Sequence, residues 1–193
     1  MIPLFARAGA IVVRPGATWL AIARERTSAF ALYVGYVVPL AAIGPAATYV
    51  ALHVEGVRVA RGIVYRASTF DAGAQAAFAF AYALAGVALV AAMLALLAPL
   101  FGTAPGFTRS LRVAAYAFTP AWLAGVLQLV PALAVAQLLA LAYALYLLAR
   151  GVHAVLGIPV RSAVVCAVAA VGCAIAAGFA LGVLGASLRR LSP

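Results

Sequence analysis

Residues 113–149 read VAAYAFTPAWLAGVLQLVPALAVAQLLALAYALYLLA, with no charged side chain among them. As a single helix they would run about 55 Å at 1.5 Å per residue, nearly twice the ~30 Å hydrocarbon core of a bilayer. Pro131 sits at the middle, where a helix loses a hydrogen bond and the ring meets the carbonyl one turn back. The stretch is therefore predicted to form two short antiparallel helices, 113–130 and 132–149, hinged at Pro131. Each lies near the lower length limit for crossing, so a full crossing and a re-entrant hairpin both remain open. Either form returns the chain to the side on which it entered.

Outward from this segment, charged residues leave three further long gaps: Thr27–Val54, Ala72–Thr108 and Ser162–Leu188. The predicted fold is an all-α integral membrane protein, a bundle of about five transmembrane helices at 30–52, 75–97, 113–130, 132–149 and 162–188. A loop follows the second span at 98–106. The transmembrane domain is thus expected over 30–188, with an amphipathic amino-terminal segment at 1–29 and a short tail at 189–193. Composition requires this solvent: of 193 residues 68% are hydrophobic and 8% charged, with mean hydropathy +1.19. A soluble domain carries about 25% charged residues.

All 13 basic residues are arginine, against 3 acidic ones, giving a net charge of +10. They flank apolar runs, which argues for anionic lipid headgroups as partners and against nucleic acid. The absence of lysine beside abundant alanine, valine and glycine reads as the compositional bias of a bacterial genome. Counted by side, Arg7, Arg14, Arg24, Arg26, Arg109, Arg112, Arg150 and Arg161 fall together, opposite Arg58, Arg61, Arg66, Arg189 and Arg190. The excess predicts a cytoplasmic amino terminus and an external carboxyl terminus, in a bacterial cytoplasmic membrane.

Arg7, Arg14 and Pro15 interrupt any signal-peptide core, so insertion is expected through the first span. Within 1–29, Ile2, Phe5, Ile11 and Val12 precede an expected Pro15-Gly16 turn. Thr18 is then expected to cap a short helix bearing Trp19, Leu20 and Ile22, with Trp19 at the headgroup boundary beside Arg24 and Arg26. Small-residue stripes mark packing faces: Ala174, Gly178, Gly182 and Ala186 in the last span, and Ala77, Ala81 and Ala85 in the second. Cys166 and Cys173 lie about 10 Å apart along one helix, too far for a disulfide.

No zincin, P-loop or nucleophile-elbow pattern occurs, and the only carboxylates are Glu25, Glu55 and Asp71. His53 and Glu55 could pair, but His153 falls on the opposite side, so no catalytic, metal or cofactor site is expected. Without acidic or histidine side chains inside the spans a proton-coupled pump is disfavoured. Gln128, Gln137, Thr48 and the tyrosines are the strongest polar groups at membrane depth.

The run Ala115-Tyr116-Ala117-Phe118-Thr119-Pro120-Ala121-Trp122-Leu123-Ala124-Gly125, followed by Pro131, resembles bacterial members of the Yip-domain family, named for Ypt-interacting proteins. Tyr33 to Leu40, with Tyr36 and Pro39, and then Gly44-Pro45 resemble that family's opening helix. The resemblance implies five membrane helices, a cytoplasmic amino terminus, and no catalytic residue or cofactor. Eukaryotic relatives bind small GTPases in vesicle traffic. The short segment ahead of the first span departs from them, so GTPase binding is not carried over. The expected function is non-enzymatic: organising membrane lipid or partner proteins, with a membrane protein or a second copy of the chain as candidate partner. The alternative is a small channel or uncoupled transporter whose path lies along Tyr116, Pro120 and Gln128.

Overall fold

The computed structural model describes residues 4–60 and 63–191, and only the backbone of 57–60, 63, 65, 131 and 181–191. Ile2 and Arg61, and the side chains of Arg58, Pro131, Gly182, Ala186, Arg189 and Arg190, therefore lie outside what is described. The chain forms a bundle of apolar helices.

Two short helices come first, α1 (Leu4–Val13) and α2 (Pro15–Arg24). The expected turn at Pro15-Gly16 is instead the first turn of α2, a position where the missing proline N–H costs nothing. Thr18 does not cap that helix from outside. It sits within α2, and its hydroxyl reaches back to the carbonyls of Ala10 (3.1 Å) and Arg14 (2.8 Å), fixing the bend between the two helices.

The first span is one continuous helical run, Ala29–Glu55, built from α3 (Ala29–Leu32), α4 (Val38–Ala41) and α5 (Ile43–Tyr49) with wider π turns at Tyr33–Val37 and Val50–Glu55. Pro39 accounts for the first π turn. Its ring would clash with the carbonyl four residues back, and widening the preceding turn relieves that contact. Gly56, at φ 80°, then lets the chain reverse into a small antiparallel hairpin, β1 (Val57–Ala60) and β2 (Ile63–Tyr65).

Helix α6 (Thr69–Leu97) begins six residues ahead of the expected start of the second span. Ser68 caps it, accepting from the Asp71 N–H at 3.0 Å while its hydroxyl donates to the Asp71 carboxylate at 2.7 Å. The third passage is not the single helix expected at 113–130. It starts earlier as α7 (Phe107–Ala117), bends at Phe118, resumes as α8 (Thr119–Leu123) with Pro120 in its first turn, and tightens into a 3-10 stretch, Ala124–Leu129. Together these pieces would extend roughly 35 Å if straight, enough for a crossing.

After the turn at Pro131, α9 (Ala134–Leu156) runs seven residues past the expected end at Ala149. Arg150 does not end it; Gly157, in the left-handed region at φ 79°, does. α10 (Val160–Leu191) follows. Four helical runs, Ala29–Glu55, Thr69–Phe101, Ala134–Leu156 and Val160–Ala180, are each long and apolar enough to cross a membrane. The composite third passage makes the fifth element of the bundle.

The core centres on α7. Every residue from Ser110 to Ala117 is buried, between α6 on one side and α9 on the other. The amino-terminal segment also packs into this core, where a surface position had been expected. Ile11, Trp19 and Ile22 are all buried.

Candidate functional site

Five side chains that the sequence scatters over 113 positions meet at the arginine-rich end of the bundle. Tyr36 comes from the first π turn, Tyr116 from the last turn of α7, and Thr119 from the start of α8, with Arg7 and Glu25 supplied by the amino-terminal segment. The Thr119 hydroxyl donates to the Tyr116 carbonyl at 2.8 Å. Its single proton is thereby used, so the Tyr36 hydroxyl, 2.8 Å away, is the donor to Thr119. The two tyrosine rings tilt against each other with centroids 4.6 Å apart. Arg7 stands over the Tyr116 ring, 5.8 Å from its centroid, and pairs with the Glu25 carboxylate. The buried Tyr36 and Thr119 hydroxyls are tolerated here because each finds a partner.

Arg112 closes the same site from α7. It is buried, and its Nη1 donates to the carbonyls of Ile22 (3.3 Å) and Glu25. These carbonyls lie at the carboxyl end of α2, where Ile22 also accepts the Glu25 N–H at 3.2 Å, so Arg112 adds a side-chain cap to a helix 90 residues away in sequence. The Arg112 Nε is left without a partner, as is the buried Trp19 indole N–H.

Trp19 seats α2 against α9. A methyl group built on Gly151 would come 2.7 Å from the Trp19 ring, so glycine there makes the notch that the indole fills. The Tyr143 hydroxyl, also on α9, donates to the Val12 carbonyl at 2.7 Å. Sequence reasoning missed this docking, and placed Trp19 at the headgroup boundary. The remaining arginines of this end, Arg14, Arg24, Arg26, Arg109, Arg150 and Arg161, are exposed around the site.

The opposite half of the bundle uses other means. A Cβ added to Gly125 would lie 2.8 Å from the Gly44 Cα, so these two backbones touch directly. Beside them Thr48 bonds the Gln128 side chain, and both line a small cavity of about 170 Å³ that Pro45 and Trp122 also border. Tyr116 and Pro120 do not border it. The expected path through Tyr116, Pro120 and Gln128 is thus divided between a buried cluster and a separate small cavity. Phe118 and Trp122 pack with centroids 6.4 Å apart. Ala174 is buried, and an added Cβ on Gly178 would meet the Tyr82 hydroxyl at 3.9 Å. The Ala77, Ala81 and Ala85 stripe is exposed instead of packed. His53 bonds the Ala67 carbonyl and lies 3.4 Å from the Thr69 hydroxyl, in place of the expected Glu55. Among the described residues no group of three metal-ligating side chains occurs.

The fold and the site define a multi-pass helical membrane protein held together at one end by a buried polar cluster. The Yip1 domain family model matches residues 9–182, nearly the whole chain, and the chain belongs to that family. No curated protein and no solved structure matches it significantly.

Proposed function

We propose that this is a non-enzymatic Yip1-domain protein of the bacterial cytoplasmic membrane, amino terminus inside and carboxyl terminus outside, that organises anionic lipid or a membrane-protein partner at its arginine-rich end. The observation that carries the reading is the arrangement of that end. Arg7 and Arg112 turn inward to hold α1 and α2 in place, and six further arginines stand exposed around them. Inward arginines fix a structure. Exposed ones, on a bilayer, find phosphates, each worth about 1 kcal/mol near an anionic surface. Their accumulation on one side supports the cytoplasmic assignment. The buried cluster offers hydrogen bonds and ring contacts, but no nucleophile beside a base.

Reconstitution tests this. In vesicles of phosphatidylethanolamine containing phosphatidylglycerol, the protein should enrich the anionic lipid in its annulus or alter vesicle shape, and replacing the six exposed arginines by glutamine should abolish the effect. Unchanged vesicles, together with no protein cross-linked to it in native membranes, would refute the proposal.

A further inference from the structure

The bend in the third passage leaves a space. Helices α6, α7, α9 and α10 form a closed ring, each packed on the next and α10 packed back on α6. α7, however, stops at Ala117. Beyond Phe118 the chain leans toward α5, where Gly125 meets Gly44, and one wall of the ring is lost. The result is a hollow of about 780 Å³ between α6, α9 and α10, with Phe118 on its lining. Small residues such as Gly86, Ala174 and Gly178 widen it, and among the described residues the Tyr82 hydroxyl is the only polar side-chain group along its walls.

Its depth identifies what fills it. The hollow spans 82–90 of α6, 138–148 of α9 and 171–178 of α10, near the middle of each apolar run. Along α9 that is about 15 Å, half the hydrocarbon thickness. No headgroup or ion reaches this level, and apolar cavities do not hold water. The accessible lining falls well short of the roughly 800 Å² per partner that a stable protein interface needs, which disfavours a helix from a second copy. A flexible hydrocarbon chain fits the remaining conditions, restoring the dispersion contacts that an empty lining loses.

We propose that the hollow binds one lipid hydrocarbon tail, entering sideways between the helices and selected by its length and bulk, not by its headgroup. The proposal rests on the chain spanning the membrane, but not on the arginine-rich end acting on lipid.

The test uses full-length protein in phosphatidylethanolamine–phosphatidylglycerol nanodiscs doped with a phosphatidylglycerol bearing a diazirine near the end of one tail. After photolysis, peptide mass spectrometry should place adducts mainly on the residues of α6, α9 and α10 that face the hollow. Gly86→Leu fills the space from a position where an added Cβ meets nothing within 4 Å, and should cut those adducts by about tenfold, equivalent to about 1.4 kcal/mol. Gly178→Leu provides a second filling variant, and Gly73→Leu, on α6 outside the hollow, should leave labelling unchanged. Adducts spread evenly over all lipid-facing helices, filling variants that fold yet label normally, or cross-links from the hollow to a second copy would each overturn the proposal. Vesicles left unchanged by the unsubstituted protein, with labelling of the hollow intact, would instead count only against the function proposed above.

Discussion

The two halves of this bundle solve the same packing problem by opposite means. At the arginine-rich end, side chains do the joining. Tyr36, Thr119 and Tyr116 form a hydrogen-bonded chain, Arg112 caps α2, and Trp19 fills the notch at Gly151. At the Pro131 end, backbones meet without side chains between them at Gly44 and Gly125, with a small cavity beside them, and a larger hollow stays open between α6, α9 and α10. In lipid there is no hydrophobic drive between helices, so association must come from close packing and from polar contacts. One end relies on the second and the other on the first. A polar join is directional and fixes a single arrangement; a glycine contact is dense but leaves its surroundings free to stay unfilled.

Substitutions can separate these two modes. The largest effect is expected for Arg112→Leu, which strips the side-chain cap from α2 and removes both of its charge-assisted bonds, to the Ile22 and Glu25 carbonyls. A loss of about 3 kcal/mol follows from charge-assisted bonds of this kind, seen as rapid proteolysis near Arg24 and Arg26 in proteoliposomes while the spans stay protected. Gly125→Ala should cost about 2 kcal/mol by forcing two backbones apart, lowering the thermal midpoint in detergent without exposing α2 to protease. If Gly125→Ala also frees α2, the two halves are one cooperative unit and the contrast fails. Thr119→Val should cost about 1 kcal/mol by leaving the Tyr36 hydroxyl without its acceptor. Adding Tyr36→Phe should recover most of that loss, a coupling that a double-mutant cycle measures directly.

Much of the fold could be read from charge spacing, because a backbone in hydrocarbon has few options other than helix. Element ends are less legible, since charged residues punctuate the sequence but capping decides where a helix starts and stops. Ser68 and Asp71 carry the S-x-x-D start signal of α6, and Gly157 ahead of Pro159 carries the stop signal of α9. Both were present in the sequence, and both outrank the arginines. Tyr36, Tyr116 and Thr119 stood out within motif-like runs, but nothing local states that residues 83 positions apart share a hydrogen bond. Trp19 was legible as an aromatic beside arginines. Its seat at Gly151 was not, because a notch is the absence of a side chain on another helix. The hollow was hidden for the same reason: it follows from the direction the chain takes after Phe118, which local sequence does not state.

The capping of α2 by Arg112 has a consequence for synthesis. α1 and α2 leave the ribosome well ahead of the groups that receive them: Arg112 for the Ile22 carbonyl, Tyr143 for the Val12 carbonyl 131 residues behind it, and Gly151 for Trp19. These two helices can therefore take their seats only after α9 has been translated, so their docking follows the synthesis of the helices that receive them.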